Sequence, residues 1–151
     1  MADTIERQSF THKELAASCF NKVWDILSLD NRTKIEEEEM IHLCHSSFWH
    51  WTQVEEHTTK NLSIGYWQLA RVYAVANQGE NALRYAEKCI DVSNGLEPFY
   101  VAYAYEASAR AYSILNQVEK SKVAKENASY YTEQVSDVES KSWLINDLET
   151  I

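Results

Sequence analysis

The feature that most constrains this sequence is an internal repeat with a period of 39 residues. The segment Ala70–Tyr73 matches Ala109–Tyr112, and an Asn-Gln pair follows each segment at the same distance. Glu80 and Glu119 then occupy equivalent places in the two copies. Repeats of this length are typical of stacked supersecondary units, because each unit has an apolar face that only its neighbour covers. We therefore expect a chain of stacked units.

The units are predicted to be helical hairpins. The chain contains three glycines and one proline, and these residues most often interrupt helices and form turns. Capping boxes at Thr11–Glu14 and Thr33–Glu36 mark two helix starts. The spacing of apolar residues and breakers predicts one all-α domain over residues 1–151. It contains hairpins at about 11–53, 60–93 and 98–135 and a short capping helix at about 138–148.

Within the repeat, one set of residues resembles the tetratricopeptide pattern W-x2-L-G-x2-Y followed by A-x3-F. The matching residues of the first copy are Tyr66, Leu69, Ala70, Tyr73, Ala82 and Ala86. The resemblance implies hairpins stacked in a right-handed superhelix. The period is longer than that of the family, and the closing proline of the motif is absent. The segments Cys44–Trp51 and Trp67–Ala74 also resemble a group of small bacterial tetratricopeptide-like proteins, which supports the same fold.

The resemblance also implies a function. In tetratricopeptide folds, the first helix of each hairpin lines a concave groove that binds a peptide. The groove positions correspond here to Trp67, Gln68, Arg71, Tyr103, Glu106 and Arg110. The resemblance thus implies a non-enzymatic protein- or peptide-binding module. Two guanidinium groups beside aromatic rings suit an acidic or carboxylate-bearing partner.

The same residues allow a purely structural interpretation. Glu106 and Arg110 lie four residues apart on one predicted helix, which is the spacing of an intrahelical ion pair. Arg71 is expected to join them if the two hairpins pack together. The sequence therefore leaves open whether these charges bind a partner or form a salt-bridge network between hairpins.

Two further hypotheses concern other surfaces. Exposed aromatic side chains at Trp49 and Tyr131 predict self-association into a homodimer. A small-ligand or metal site is the less favoured hypothesis, around His45, His50 and Trp51. Three histidines at 42, 45 and 50 point in different directions on a straight helix, at about 100° per residue. We therefore predict no metal ion and no cofactor.

Charge and composition exclude several partner classes. Twenty-three acidic and fourteen basic residues give a formal net charge of −9, which disfavours nucleic acids and anionic membranes. No apolar run approaches the roughly 20 residues of a membrane-spanning helix. The dispersed cysteines (Cys19, Cys44 and Cys89) are predicted to be buried thiols of a cytoplasmic protein. The common hydrolase and nucleotide-binding motifs are missing, so we predict no enzymatic activity.

Overall fold

A computed structural model describes residues 7–151, and all regular secondary structure in this range is helical. The helices are α1 (His12–Leu27), α2 (Lys34–Gln53), α3 (Thr59–Val75), α4 (Gly79–Ser93), α5 (Pro98–Ile114), α6 (Val118–Thr132) and α7 (Val138–Glu149). The predicted all-α class and the seven helices are confirmed over the described residues. The helices also lie within a few residues of the hairpin and capping-helix bounds expected from the sequence.

Side-chain caps determine where several helices begin. Thr11, Thr33 and Thr58 each accept a hydrogen bond from the backbone N–H three residues later. Thr33 and Thr58 form complete capping boxes with Glu36 and Asn61. Such caps satisfy backbone donors that have no partner within the helix. The starts of these helices are therefore encoded locally, within four residues of sequence.

The two copies of the repeat end their first helices in the same way. Asn77 and Asn116 both have φ = 59°, in the left-handed region that asparagine tolerates better than most residues. The next residue donates its backbone N–H to the carbonyl of the repeated tyrosine, at 2.8 Å to Tyr73 and 2.9 Å to Tyr112. This is the hydrogen bond of a Schellman motif. The sequence repeat is thus also a repeat of turn geometry.

Consecutive helices pack as antiparallel neighbours, and α3 also packs directly on α5. Ala70 and Ala109, the small residues of the repeat, are almost completely buried. The largest apolar cluster is formed by α1, α2 and α3 around Val23, Met40 and Leu69. Helix α7 packs on α5 and α6. Helix α5 therefore packs against both α3 and α7.

The predictions that the cysteines are buried and that the chain has no membrane-spanning helix can be compared with the structure. Burial raises the pKa of the Cys44 thiol to about 12 and that of Cys89 to about 11. Cys19 is only half-buried, with its Sγ 3.7 Å from Ser46 Oγ, so the prediction of a buried thiol is wrong there. None of the helices within residues 7–151 combines the length and the apolar character needed to cross a bilayer.

Candidate functional site

The main candidate site is a cavity of about 510 Å³ that we call the aromatic cavity. Its walls come from α1, α3, α5 and α7, the odd-numbered helices. Seven of the lining residues are aromatic: Phe20, Trp24, Trp67, Phe99, Tyr100, Tyr103 and Trp143. The others are Ser63, Ile64, Asn146 and Asp147. Mostly apolar walls with a few polar groups are typical of ligand-binding cavities.

Helical spacing explains why these side chains face the same space. On each wall the lining residues are separated by one, three or four positions, so they lie on one face of their helix. The rings also contact each other across helices. Trp24 of α1 stacks on Trp67 of α3 with centroids 5.6 Å apart, and Trp67 meets Tyr103 of α5 edge-on at 5.4 Å. The walls from α1, α3 and α5 are therefore packed against one another.

Several large apolar side chains at the cavity remain partly in contact with water. The exposed fractions are 39% for Trp24, 38% for Ile64 and 51% for Trp143. Single exposed apolar residues are common on protein surfaces, but a group of them around one concavity is typical of a binding surface. These residues come from α1, α3 and α7. Their convergence is therefore a property of the tertiary structure.

A buried charge cluster lies beside the cavity, and we call it the Glu106 cluster (Glu106, Arg71, Arg110 and Asp147). The Glu106 side chain is fully buried. Its Oε1 accepts hydrogen bonds from Arg71 Nη2 at 2.9 Å and from Arg110 Nε and Nη2 at 3.0 and 2.8 Å. Its Oε2 accepts from Trp67 Nε1 at 3.0 Å. The many hydrogen bonds compensate for the cost of burying this carboxylate.

Helix α7 is joined to this cluster by hydrogen bonds. Arg110 Nη2 donates to the Asp147 carbonyl at 3.1 Å and to Thr150 Oγ1 at 2.7 Å. Arg71 Nη2 lies 3.6 Å from Asp147 Oδ1. The Tyr103 hydroxyl donates to Asp147 Oδ2 at 2.8 Å, and burial together with this hydrogen bond raises the pKa of Tyr103 above its ordinary range. These contacts hold α7 in place as one wall of the cavity.

The residues predicted to line a groove have different surroundings in the structure. Trp67 and Tyr103 line the aromatic cavity. Arg71 and Arg110 are mostly buried and donate to Glu106. Gln68 is buried and donates its Nε2 to the Phe20 carbonyl at 3.2 Å, so it lies between α1 and α3. The salt-bridge network, which the sequence left open as an alternative, is present.

Sequence reasoning missed most of the cavity walls. Phe20 and Trp24 of α1, and Trp143 and Asp147 of α7, were outside the two helices to which the repeat assigned a groove. The repeat does contain one unused signal, because Ile64 lies exactly one period before Tyr103. For α7 the only local signal was Trp143 followed by polar residues three and four positions later. That pattern alone does not identify a partner helix.

The histidines of α2 face different neighbours. His45 Nε2 lies 2.7 Å from the hydroxyl of Tyr73, and burial lowers the pKa of His45. His50 Nδ1 instead lies 2.9 Å from His12 Nδ1 of α1, so His45 contacts α3 whereas His50 contacts α1. Trp51 is half-buried. In residues 7–151, no three His, Cys, Asp or Glu side chains are grouped closely enough to hold a metal ion.

The two aromatic residues predicted to mediate self-association differ in exposure. Trp49 of α2 is 54% exposed. Tyr131 is half-buried, because its ring stacks on Tyr105 with centroids 5.9 Å apart. The prediction of an exposed ring is therefore wrong for Tyr131, and its neighbour Tyr130 is the exposed one.

Comparisons of this chain with protein-family models, with curated proteins and with solved structures found no match. A function must therefore be inferred from the aromatic cavity and its surroundings.

Proposed function

We propose that this protein is a non-enzymatic binding module that holds a peptide or a protein surface in a groove formed by its odd-numbered helices. The observation that carries the proposal is the convergence of three partly exposed apolar residues, Trp24, Ile64 and Trp143, on one cavity. Burying such side chains against a partner contributes about 25 cal/mol per Å² of apolar area. Covering these three side chains together would therefore stabilise a complex with a partner.

The proposal includes the tetratricopeptide-like superhelix implied by the sequence. In that arrangement the first helices of successive hairpins form the concave face. Its support here is that α1, α3 and α5 all contribute to the cavity and that α3 packs on α5. The identical turns at Asn77 and Asn116 add to this support. In this proposal, α7 closes one end of the groove in a cytoplasmic protein.

The chemistry of the cavity favours a different partner from the acidic one predicted from the sequence. The donors of Arg110 are directed to Glu106, Asp147 and Thr150, and Arg71 is directed to Glu106. Arg110 is therefore engaged within the protein, and Arg71 is mostly buried beside Glu106. The cavity itself presents aromatic rings, and Asp147 is the one charged side chain among its described lining residues. We therefore propose that the partner inserts an apolar side chain, or another group that packs well against aromatic rings.

The test uses two tryptophans of similar exposure, one at the cavity and one away from it. Proteins that co-purify with the chain are produced separately, and their affinities are measured by calorimetry with the wild type, Trp143→Arg and Trp49→Arg. Truncating an anchor at the centre of an interface typically costs 2 kcal/mol or more, which is about 30-fold in affinity. We expect a loss of this order for Trp143→Arg and wild-type affinity for Trp49→Arg. Unchanged affinity of Trp143→Arg would reject the cavity as the binding site.

A second candidate function is self-association through α2. Ile35 is 78% exposed and Trp49 is 54% exposed, and their separation of fourteen residues places them on the same helical face. Two copies packed about a two-fold axis would cover both residues. Light scattering of the wild type and Trp49→Arg tests this proposal. A wild-type chain that remains monomeric at high concentration would exclude it.

A further inference from the structure

The aromatic cavity has a composition suited to one class of ligand. Seven aromatic rings surround it, and the described lining residues include one charged side chain, the carboxylate of Asp147. The face of an aromatic ring is electronegative and attracts cations within about 6 Å of the ring centroid. A carboxylate among several aromatic rings adds a full negative charge to this attraction. Both features favour a positively charged group in the cavity.

Asp147 retains the capacity to face a cation. Its side chain is partly exposed. Oδ2 accepts one hydrogen bond from Tyr103, whereas Oδ1 lies 3.6 Å from the nearest guanidinium nitrogen, Arg71 Nη2. That distance exceeds a good charge-assisted hydrogen bond of about 2.8 Å. The carboxylate is therefore held in position by Tyr103 without being closely paired at both oxygens.

Two rings of the cavity already interact with cations of the protein itself. Lys60 Nζ lies 5.5 Å from the Tyr100 centroid, and the Arg71 guanidinium lies 5.1 Å from the Trp67 ring. Each of these cations is paired with a carboxylate, Lys60 with Glu97 at 2.7 Å and Arg71 with Glu106 at 2.9 Å. Their charges are thus compensated locally. The chain as a whole carries a net charge of −9, which also attracts a cationic ligand.

We propose that the aromatic cavity binds an alkylated ammonium cation, such as a quaternary ammonium compound or a methylated lysine side chain. This inference rests on the proposed binding function and gives it a ligand chemistry. Lysine and arginine side chains have many N–H donors that ring faces satisfy poorly. A fully alkylated ammonium has no N–H donor, and its methyl groups are apolar enough to be buried against rings. The charge remains and is attracted by Asp147.

The test compares a cation with a neutral molecule of the same shape. Choline and its carbon analogue 3,3-dimethylbutan-1-ol are titrated at constant ionic strength while tryptophan fluorescence is recorded. Three of the five tryptophans line the cavity, so occupancy changes the signal. We expect choline to bind about tenfold more tightly than the neutral analogue, in line with a desolvated cation–π contact. A second pair of ligands, a short neutral peptide with trimethyl-lysine or with lysine, distinguishes a peptide source from a free small molecule.

Variants assign the preference to the proposed groups. Asp147→Asn retains an oxygen for the Tyr103 hydroxyl and removes the charge, and we expect it to lower choline affinity about fivefold with no effect on the neutral analogue. Glu149→Gln removes an exposed carboxylate from the same helix and serves as the matched control. Trp143→Leu keeps an apolar side chain at the cavity but removes an aromatic ring. It provides a second comparison of choline with the neutral analogue if Asp147→Asn loses helicity.

The failures of the two proposals are distinguishable. Equal affinity for choline and the neutral analogue, or no saturable response to either, overturns the cation site. The binding function itself is decided separately by the partner affinities of Trp143→Arg and Trp49→Arg. A cavity that takes only neutral anchors would therefore retain the binding function and lose the ligand class proposed here.

Discussion

Arg71 and Arg110 occupy the same position in two copies of the repeat, yet the structure uses them differently. Both donate to Oε1 of Glu106. Arg110 also donates through Nε to the same oxygen and through Nη2 to two acceptors near the C-terminus of α7. Arg71 makes one hydrogen bond, lies over the Trp67 ring, and has a buried Nε with no partner in residues 7–151. A repeated residue therefore does not guarantee a repeated environment.

The difference arises from the neighbours of each helix. Helix α3 is flanked by α5, which supplies Glu106, whereas the C-terminal part of α7 lies beside Arg110 on α5. Arg110 thus ties the last helix to the repeat. Arg71 lies between Glu106 and the aromatic cavity, since it also contacts Trp67 and approaches Asp147. The position of a helix in the stack, as well as its sequence, therefore determines which contacts each arginine makes.

Removing Glu106 would abolish the interaction that the two arginines share. Glu106→Ala leaves two mostly buried guanidinium groups without their carboxylate, and breaking a buried pair in this way typically costs about 3–5 kcal/mol. We expect a loss of unfolding free energy of that order in urea denaturation. Glu126→Ala, at an exposed position on α6, is the control and should change stability by less than about 0.5 kcal/mol. Similar small effects for both variants would contradict a structural role of the cluster.

Lysine substitutions would sharpen the contrast between the arginines. Arg110→Lys keeps the charge but loses the forked geometry that reaches Glu106 and α7 together. We expect it to cost about 2–3 kcal/mol, and Arg71→Lys about 1 kcal/mol, because fewer charge-assisted hydrogen bonds are lost. Urea denaturation of the two variants measures the difference directly. Equal destabilisation would mean that the bonds from Arg110 to α7 contribute little.

Substitutions in the two asparagine turns should change stability by similar amounts, in contrast to substitutions of the two arginines. Asn77→Ala and Asn116→Ala each place alanine at a positive φ of 59°, and we expect each to cost about 1 kcal/mol. The corresponding glycine variants should restore or exceed wild-type stability, since glycine adopts this conformation readily. Thermal denaturation of the four variants tests this. A difference between the two sites well above 1 kcal/mol would show that their surroundings, and not the turn, dominate.

The smallest expected effect concerns the different surroundings of the two repeated tyrosines. Tyr73 is paired with His45, whereas Tyr112 has Lys120 near its ring. Burial lowers the pKa of His45 below the ordinary 6.5, so the unfolded chain binds a proton more readily than the folded one. The contribution of neutral His45 to the free energy of unfolding is therefore fully present above pH 6.5. It is lost as the pH falls through the lowered pKa of the folded state.

Denaturation midpoints between pH 7 and pH 5 provide the measurement. We expect His45→Gln to flatten this dependence. His42→Gln removes a neighbouring charge that also lowers the pKa of His45, so we expect it to weaken the dependence by a smaller amount. An unchanged slope in His45→Gln would show that other groups cause the acid sensitivity.

Local signals account for the parts of the structure that were predicted well. The caps at Thr11 and Thr33 and the asparagine turns depend on residues within about five positions of each other, so helix number and bounds could be predicted. The predicted capping box is complete at Thr33, whereas at Thr11 only the bond from the Glu14 backbone N–H to the threonine side chain is present. The ion pair between Glu106 and Arg110 was predictable for the same reason, as it follows from their spacing on one helix. Gln68 could not be placed in this way, because its burial depends on how closely α1 approaches α3.

The sequence by itself determined the class of fold, the seven helices of residues 7–151 and the repeated turns, because each depends on short-range hydrogen bonding and periodicity. Only the tertiary structure decided that Arg71 of α3 reaches the Glu106 carboxylate of α5 and that this carboxylate is fully buried. The tertiary structure alone brought Trp24, Ile64 and Trp143 to one cavity and placed Asp147 in its wall. The physical reason is that these contacts join residues on helices far apart in the chain. Their positions depend on how side-chain volumes pack between helices, which no local pattern specifies.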